Sequence, residues 1–264
     1  MGQLTALLIL LATLAASGCA GNAPGDLPGP DLRGPLGAGT SPEAADSLYA
    51  EAERLFRTGQ WRKSMELFNR VGPVLSSEDP RFLRYRFYLG EIHYAQQEYV
   101  MAAREFRRIA DEHPEDPLAP DALYRTGMAY RQLWRRPELD PTHGQTALLS
   151  FAELAGRYPD SPAAARAQAE YLALQEWFAE KELRNARFYL RYKAHESAIL
   201  VLRELVATYP RTSVVPDALL AMVRAYVALG YEEDRQETCQ YIKEFYPNIA
   251  ALEKVCPAPV PGSP

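Results

Sequence analysis

Five basic side chains, Lys181, Arg184, Arg187, Arg191 and Lys193, fall within thirteen residues that hold a single acid, Glu182. On a helix, Arg184, Arg187 and Arg191 share one face, an arrangement suited to meeting acidic surface on a partner protein, with Tyr192 and Arg203 nearby. The plainer reading of the same run is a solvated face with local ion pairs. The thiols and imidazoles offer less. His93, His113, His143 and His195 are far apart and the three cysteines are isolated, so no zinc-ligand spacing is present. There is no nucleophile elbow, phosphate-cradling glycine loop or HExxH helix. An enzyme or a cofactor therefore finds no positive support. Cys239 and Cys256 either pair in an oxidising compartment, pinning the C-terminal segment, or leave Cys239 as a free buried thiol.

The elements that must position these residues are helical. Tyr158-Pro159-Asp160-Ser161-Pro162 and Tyr209-Pro210-Arg211-Thr212 bracket a stretch without Gly or Pro between Ala163 and Tyr209. Within it Leu172, Leu174, Phe178, Leu183, Ala186, Tyr189 and Leu190 recur at three- and four-residue steps, predicting one buried stripe. One helix is expected to run unbroken from Ala163 to about Tyr192, since no breaker interrupts it. A formal net charge of -5 over 264 residues argues against a nucleic-acid binder relying on bulk positive charge.

From Pro42 onward, patterns of about 34 residues can be laid over one another. Gly90, Ala102, Phe106 and Pro114 occupy places eight, twenty, twenty-four and thirty-two of a unit starting at Leu83. Gly127, Ala147, Phe151 and Pro159 repeat them with an insertion at Trp134 to Thr142, and Ala186, Ala198, Leu202 and Pro210 repeat them again. A last unit starts at Pro216, with Arg235 and Cys239 at places twenty and twenty-four. A first has Ala52, Ser64 and Phe68 but no closing Pro. The small residue at place eight lets two helices approach, the large one at twenty-four fills the gap, and the Pro stops the second helix. This is the tetratricopeptide (TPR) pattern. It predicts an all-α superhelix of about five helix pairs, approximately 45–80, 83–116, 120–161, 163–212 and 216–248, with the long helix linking repeats three and four.

Ahead of this domain, expected over residues 43–256, an apolar stretch from Leu4 to Ala16 and then Ser17-Gly18 precede Cys19. Residues 1–18 resemble the signal peptide of bacterial lipoproteins, which implies that Cys19 is acylated. Ala20 to Ser41 hold six Gly and four Pro, a tether composition reaching on the order of 25 Å, and 257–264 form a Pro-rich tail.

Three segments, 141–161, 178–213 and 216–230, together resemble the BamD family of outer-membrane β-barrel assembly lipoproteins. Pro141-Thr142-His143 in the insertion, the spacing of Ala179, Glu182, Ala186 and Tyr189, and the Tyr-Pro endings carry the likeness. The resemblance implies a periplasm-facing chain anchored in the outer membrane through Cys19. It implies binding to the POTRA modules of the barrel-forming subunit through the C-terminal repeats, and to unfolded outer-membrane proteins through the N-terminal ones. By the TPR pattern, groove-facing places carry Tyr49, Phe56, Phe87, Tyr94, Tyr124 and Met128, with Glu53 and Glu91 between them. Further on they carry Arg187, Arg191 and Arg224. The groove is thus expected to be aromatic at one end, for extended aromatic-rich segments, and basic at the other, for a partner. The alternative for the rings is packing between helices. Other readings of the whole chain are a different periplasmic TPR lipoprotein, such as a secretin pilotin or envelope-division coordinator, or a soluble peptide-binding module.

Overall fold

The computed structural model describes residues 42–249 and 252–256. The expected signal peptide, Cys19, the linker Ala20 to Ser41 and the tail 257–264 lie outside the described residues. Pro42 already belongs to the first helix.

Five antiparallel helix pairs follow one another: α1 (Pro42–Arg57) with α2 (Trp61–Val71), α3 (Arg81–Ala95) with α4 (Tyr99–Glu112), α5 (Ala119–Leu133) with α6 (Thr142–Arg157), α7 (Pro162–Arg191) with α8 (His195–Thr208), and α9 (Val215–Leu229) with α10 (Glu232–Phe245). A short α11 (Leu252–Val255) returns onto α9. No strand occurs among the described residues. The all-α repeat architecture is as expected.

The repeated markers perform the roles their types suggest. A Cβ placed on Gly90 would come within 2.6 Å of the Phe106 ring, and one on Gly127 within 2.5 Å of Phe151, so place eight of α3 and α5 lies directly against place twenty-four of the following helix. Helices α4, α6 and α8 stop at Glu112, Arg157 and Thr208, two residues before Pro114, Pro159 and Pro210. Each intervening residue, His113, Tyr158 and Tyr209, has left the α region, with φ of -134°, -134° and -124°, as the following ring demands. Its amide still donates to the carbonyl four residues back, on Ile109, Leu154 or Leu205. The first pair, lacking the Pro, ends in a 3-10 turn at Gly72–Val74. There Asp79 Oδ1 accepts from the Arg81 amide at 2.8 Å and its carboxylate grips the Arg81 guanidinium, starting α3.

Helix α7 is continuous over 30 residues. Ser161 begins it by accepting from the Ala164 amide at 3.1 Å, with Pro162 in the first turn. Its first half, through Ala167, Leu174 and Phe178, belongs to the core shared with α5 and α6; from Ala179, Leu183 and Ala186 onward it belongs to the core of α8 and α9. Two residues of the expected stripe fall outside it. Leu172 and Tyr189 are exposed, because a helix this long changes neighbours along its length and the buried face shifts with them.

The insertion before α6 is anchored on this same helix. Trp134 is fully buried, 4.4 Å from the Phe178 ring and 5.6 Å from Trp177, and a side chain on Gly144 would collide with its indole. Lys181 donates to the carbonyls of Pro137 and Leu139, and Arg184 pairs with Glu138. The turn after α7 takes a left-handed residue, Lys193 (φ 59°), and the turn after α3 takes Gln97 (φ 65°) at the equivalent place. In both, the next amide donates to the carbonyl five residues back, Tyr189 or His93.

Candidate functional site

The first helices of successive pairs are laced to one another by charge. Arg81 bridges to Asp46 at 2.5 Å, Tyr88 donates to Glu53 at 3.1 Å, and Arg125 grips Glu91, all across separations of 34 or 35 residues. Arg166–Asp121 and Arg131–Glu170 join α5 to α7, and Arg187–Asp217 at 3.0 Å joins α7 to α9. Each exposed pair contributes little to stability, roughly 0–1 kcal/mol, but a series at repeat spacing fixes the register of neighbouring helices. Glu53 and Glu91, expected between the groove rings, are held by Tyr88 and Arg125 of the next pair's first helix.

The five candidate rings and one thioether of the first three pairs divide into two groups. Tyr49, Phe87 and Tyr124, all at place five, lean on the place-twenty-four ring of their own pair: Phe68 at 5.6 Å, Phe106 at 5.1 Å and Phe151 at 5.9 Å. Tyr49 is a correction to the expected groove. It is only 6 % exposed, and burial, then the nearby Glu53 charge, push its phenol well above the ordinary range. Its neighbours α2 and α3 close over it, so it is core. Phe56, Tyr94 and Met128 are half-buried. Phe56 packs on Trp61 and Tyr88, while the Arg125 guanidinium covers Tyr94 at 4.2 Å and Arg166 covers Tyr124 at 4.6 Å.

The basic candidates divide as well. Arg184, Arg187 and Arg203 are engaged within the chain: Arg184 holds the insertion, Arg187 holds α9, and Arg203 bonds Tyr226 Oη at 3.0 Å and Asp234 at 2.6 Å. Arg191 and Arg224 are exposed and form no ion pair among the described residues. Beside Arg191, Tyr192 is 68 % exposed and stacks at 4.7 Å on Phe188, itself 52 % exposed. Phe188 was not among the expected site residues, because a single ring inside a charged run reads as core. The signal was available: Phe188 and Tyr192 are four apart and lie off the buried stripe of Leu183, Ala186 and Leu190. An exposed Phe, Tyr and Arg together form the composition enriched at the energetic centres of protein interfaces.

Cys239 and Cys256 form a disulfide. Among the described residues no group of three or more His, Cys, Asp or Glu is placed to hold a metal, and no helix is long and apolar enough to cross a membrane.

Against known proteins, the profile of the family described as YfiO, outer membrane lipoprotein, matches residues 42–241. An outer membrane protein assembly factor BamD of Vibrio cholerae is 28 % identical over 227 residues, covering 79 % of this chain and 92 % of its own length. BamD of Neisseria meningitidis serogroup A is 26 % identical over 79 % of this chain and 82 % of its own. BamD of Caulobacter vibrioides is 28 % identical over 71 % of this chain and 61 % of its own.

Proposed function

This chain belongs to the YfiO family of outer membrane lipoproteins, the BamD family, and from that premise we propose that it is an assembly factor for outer-membrane β-barrel proteins, acting as a lipid-anchored scaffold. The observation that carries the reading is the extent of the family match, which runs from the start of α1 into α10 and so takes in all five helix pairs. In this reading Cys19 bears the acyl anchor. The face of α7 formed by Phe188, Arg191 and Tyr192 binds a POTRA module of the barrel-forming subunit, its aromatic rings supplying apolar contact and Arg191 a carboxylate partner. Phe56, Tyr94, Tyr124 and Met128, half-buried in the first three pairs, offer their edges to unfolded barrel segments, while Phe87, half-buried too, packs on Phe106.

The test is recovery of the acylated chain from crosslinked envelopes. The barrel-forming subunit is expected among the captured proteins. It should be lost when Phe188 and Tyr192 become Ala and Arg191 becomes Glu. Capture without that subunit, or capture indifferent to the triple substitution, overturns the corresponding half of the proposal. Labelling with palmitate, abolished by Cys19→Ser, tests the anchor.

A further inference from the structure

A second surface, separate from the α7 face, lies where the C-terminal segment returns onto α9. Arg224, Val227, Lys254 and Val255 line a cleft of about 510 Å³. It continues into a second hollow that shares Val227, Lys254 and Val255 and reaches Gly230, Glu232 and Arg235 at the α9–α10 turn. Its floor is aliphatic and open, Val227 being 61 % exposed in the last turn of a helix packed elsewhere against the core. Its rim is cationic. Arg224 and Lys254 are exposed and form no ion pair among the described residues, while the one carboxylate in the lining, Glu232, is already held by Arg235 at 2.5 Å and by Gln236 at 2.7 Å. The wall carrying Lys254 and Val255 is a four-residue helix, fixed by the disulfide from the adjacent Cys256 to Cys239 on α10.

We infer that this cleft binds an extended acidic segment of a partner protein, with carboxylates on Arg224 and Lys254 and an aliphatic side chain on Val227 and Val255, and that the Cys239–Cys256 bond is required for it. Charge complementarity selects the occupant. Two unpaired cations flanking an apolar strip match a segment in which acidic and aliphatic residues alternate. The chain's own residues 257–264 contain no acidic side chain and do not complement the rim. The disulfide enters because α11 is too short to stand without it, so half of the cleft depends on that one covalent link.

The experiment measures binding of a fluorescein-labelled peptide of alternating Glu and Val to the full mature chain by fluorescence anisotropy. Saturable binding that weakens with salt is expected. Arg224→Glu or Lys254→Glu should each weaken it about tenfold, the loss of one charge-assisted contact. Reduction, or Cys256→Ser, should weaken it by at least as much, and Arg62→Glu, at an exposed cation on α2, should leave it unchanged. Circular dichroism separates loss of the cleft from loss of the fold, and Arg224→Gln with Lys254→Gln, which keeps a polar side chain and removes the charge without reversing it, must reproduce the loss. Equal affinity for an alternating Lys and Val peptide, or affinity unmoved by the charge substitutions, overturns the inference. So does a rise in affinity on truncation after Cys256, which would assign the cleft to the chain's own tail. Charge-dependent binding to phosphatidylglycerol vesicles without peptide binding would assign it to a lipid surface instead.

Discussion

Phe87 faces two ways. Its position on α3 would let it greet a ligand, yet its ring meets Phe106 edge-on at 5.1 Å and closes its own helix pair. Phe87→Ala is therefore expected to lower stability by about 3 kcal/mol, measured by denaturant unfolding, while leaving peptide affinity per folded molecule unchanged. Periodicity could not decide this, because spacing identifies a face but not which neighbour covers it. The same limit concealed Tyr49. Asp79 makes a different test. Its hydrogen bonds to the Arg81 guanidinium and amide hold its carboxyl below the ordinary 3.8. A depressed acid contributes its stability fully above that ordinary value and loses it as pH falls through the lower folded one. The melting temperature of Asp79→Asn should thus lie below that of the parent at neutral pH, and the gap should close on acidification below 3.8, as scanning calorimetry would report.

At the scale of the element, the helix ends were the most legible feature. A Tyr-Pro or His-Pro pair stops a helix by local sterics alone, and α4, α6 and α8 obey it regardless of what surrounds them. The contact between place eight and place twenty-four was equally readable, since a glycine across from a phenylalanine has few other uses inside a helix pair. The insertion was legible in its position but not in its packing. Residues 134–141 follow no period, and only the fold reveals that Trp134 is the largest side chain buried in the structure. Turns gave a mixed return. The left-handed place after α7 is filled by Lys193, where a Gly would cost nothing sterically. Lys193→Gly should raise stability by about 0.5 kcal/mol, the relief of the left-handed strain less the added freedom of the unfolded chain. Chemical denaturation resolves a shift of that size, and a decrease would show that Lys193 makes a contact worth more than its strain.

For the molecule as a whole, the array ends on a covalent clasp. The last pair replaces the large apolar residue of place twenty-four with Cys239, and the bond to Cys256, 17 residues on, brings α11 over the exposed side of α9. Sequence left that pairing undecided because nothing local shows where the chain returns. Closing a loop of this length should stabilise the C-terminal pair by about 3 kcal/mol. Added reductant should then lower the unfolding midpoint and raise amide exchange in α9 and α10 first, with α1 to α4 unaffected at the same reductant concentration. Uniform loosening of all five pairs would mean the clasp supports more than its own end.

Helix α7 has one more consequence. A rod of about 45 Å that belongs to both halves leaves no joint between Ala167 and Leu190 at which one half could nod against the other. Anything held on the two sides of that span keeps its separation, because the helix between them offers no place to bend.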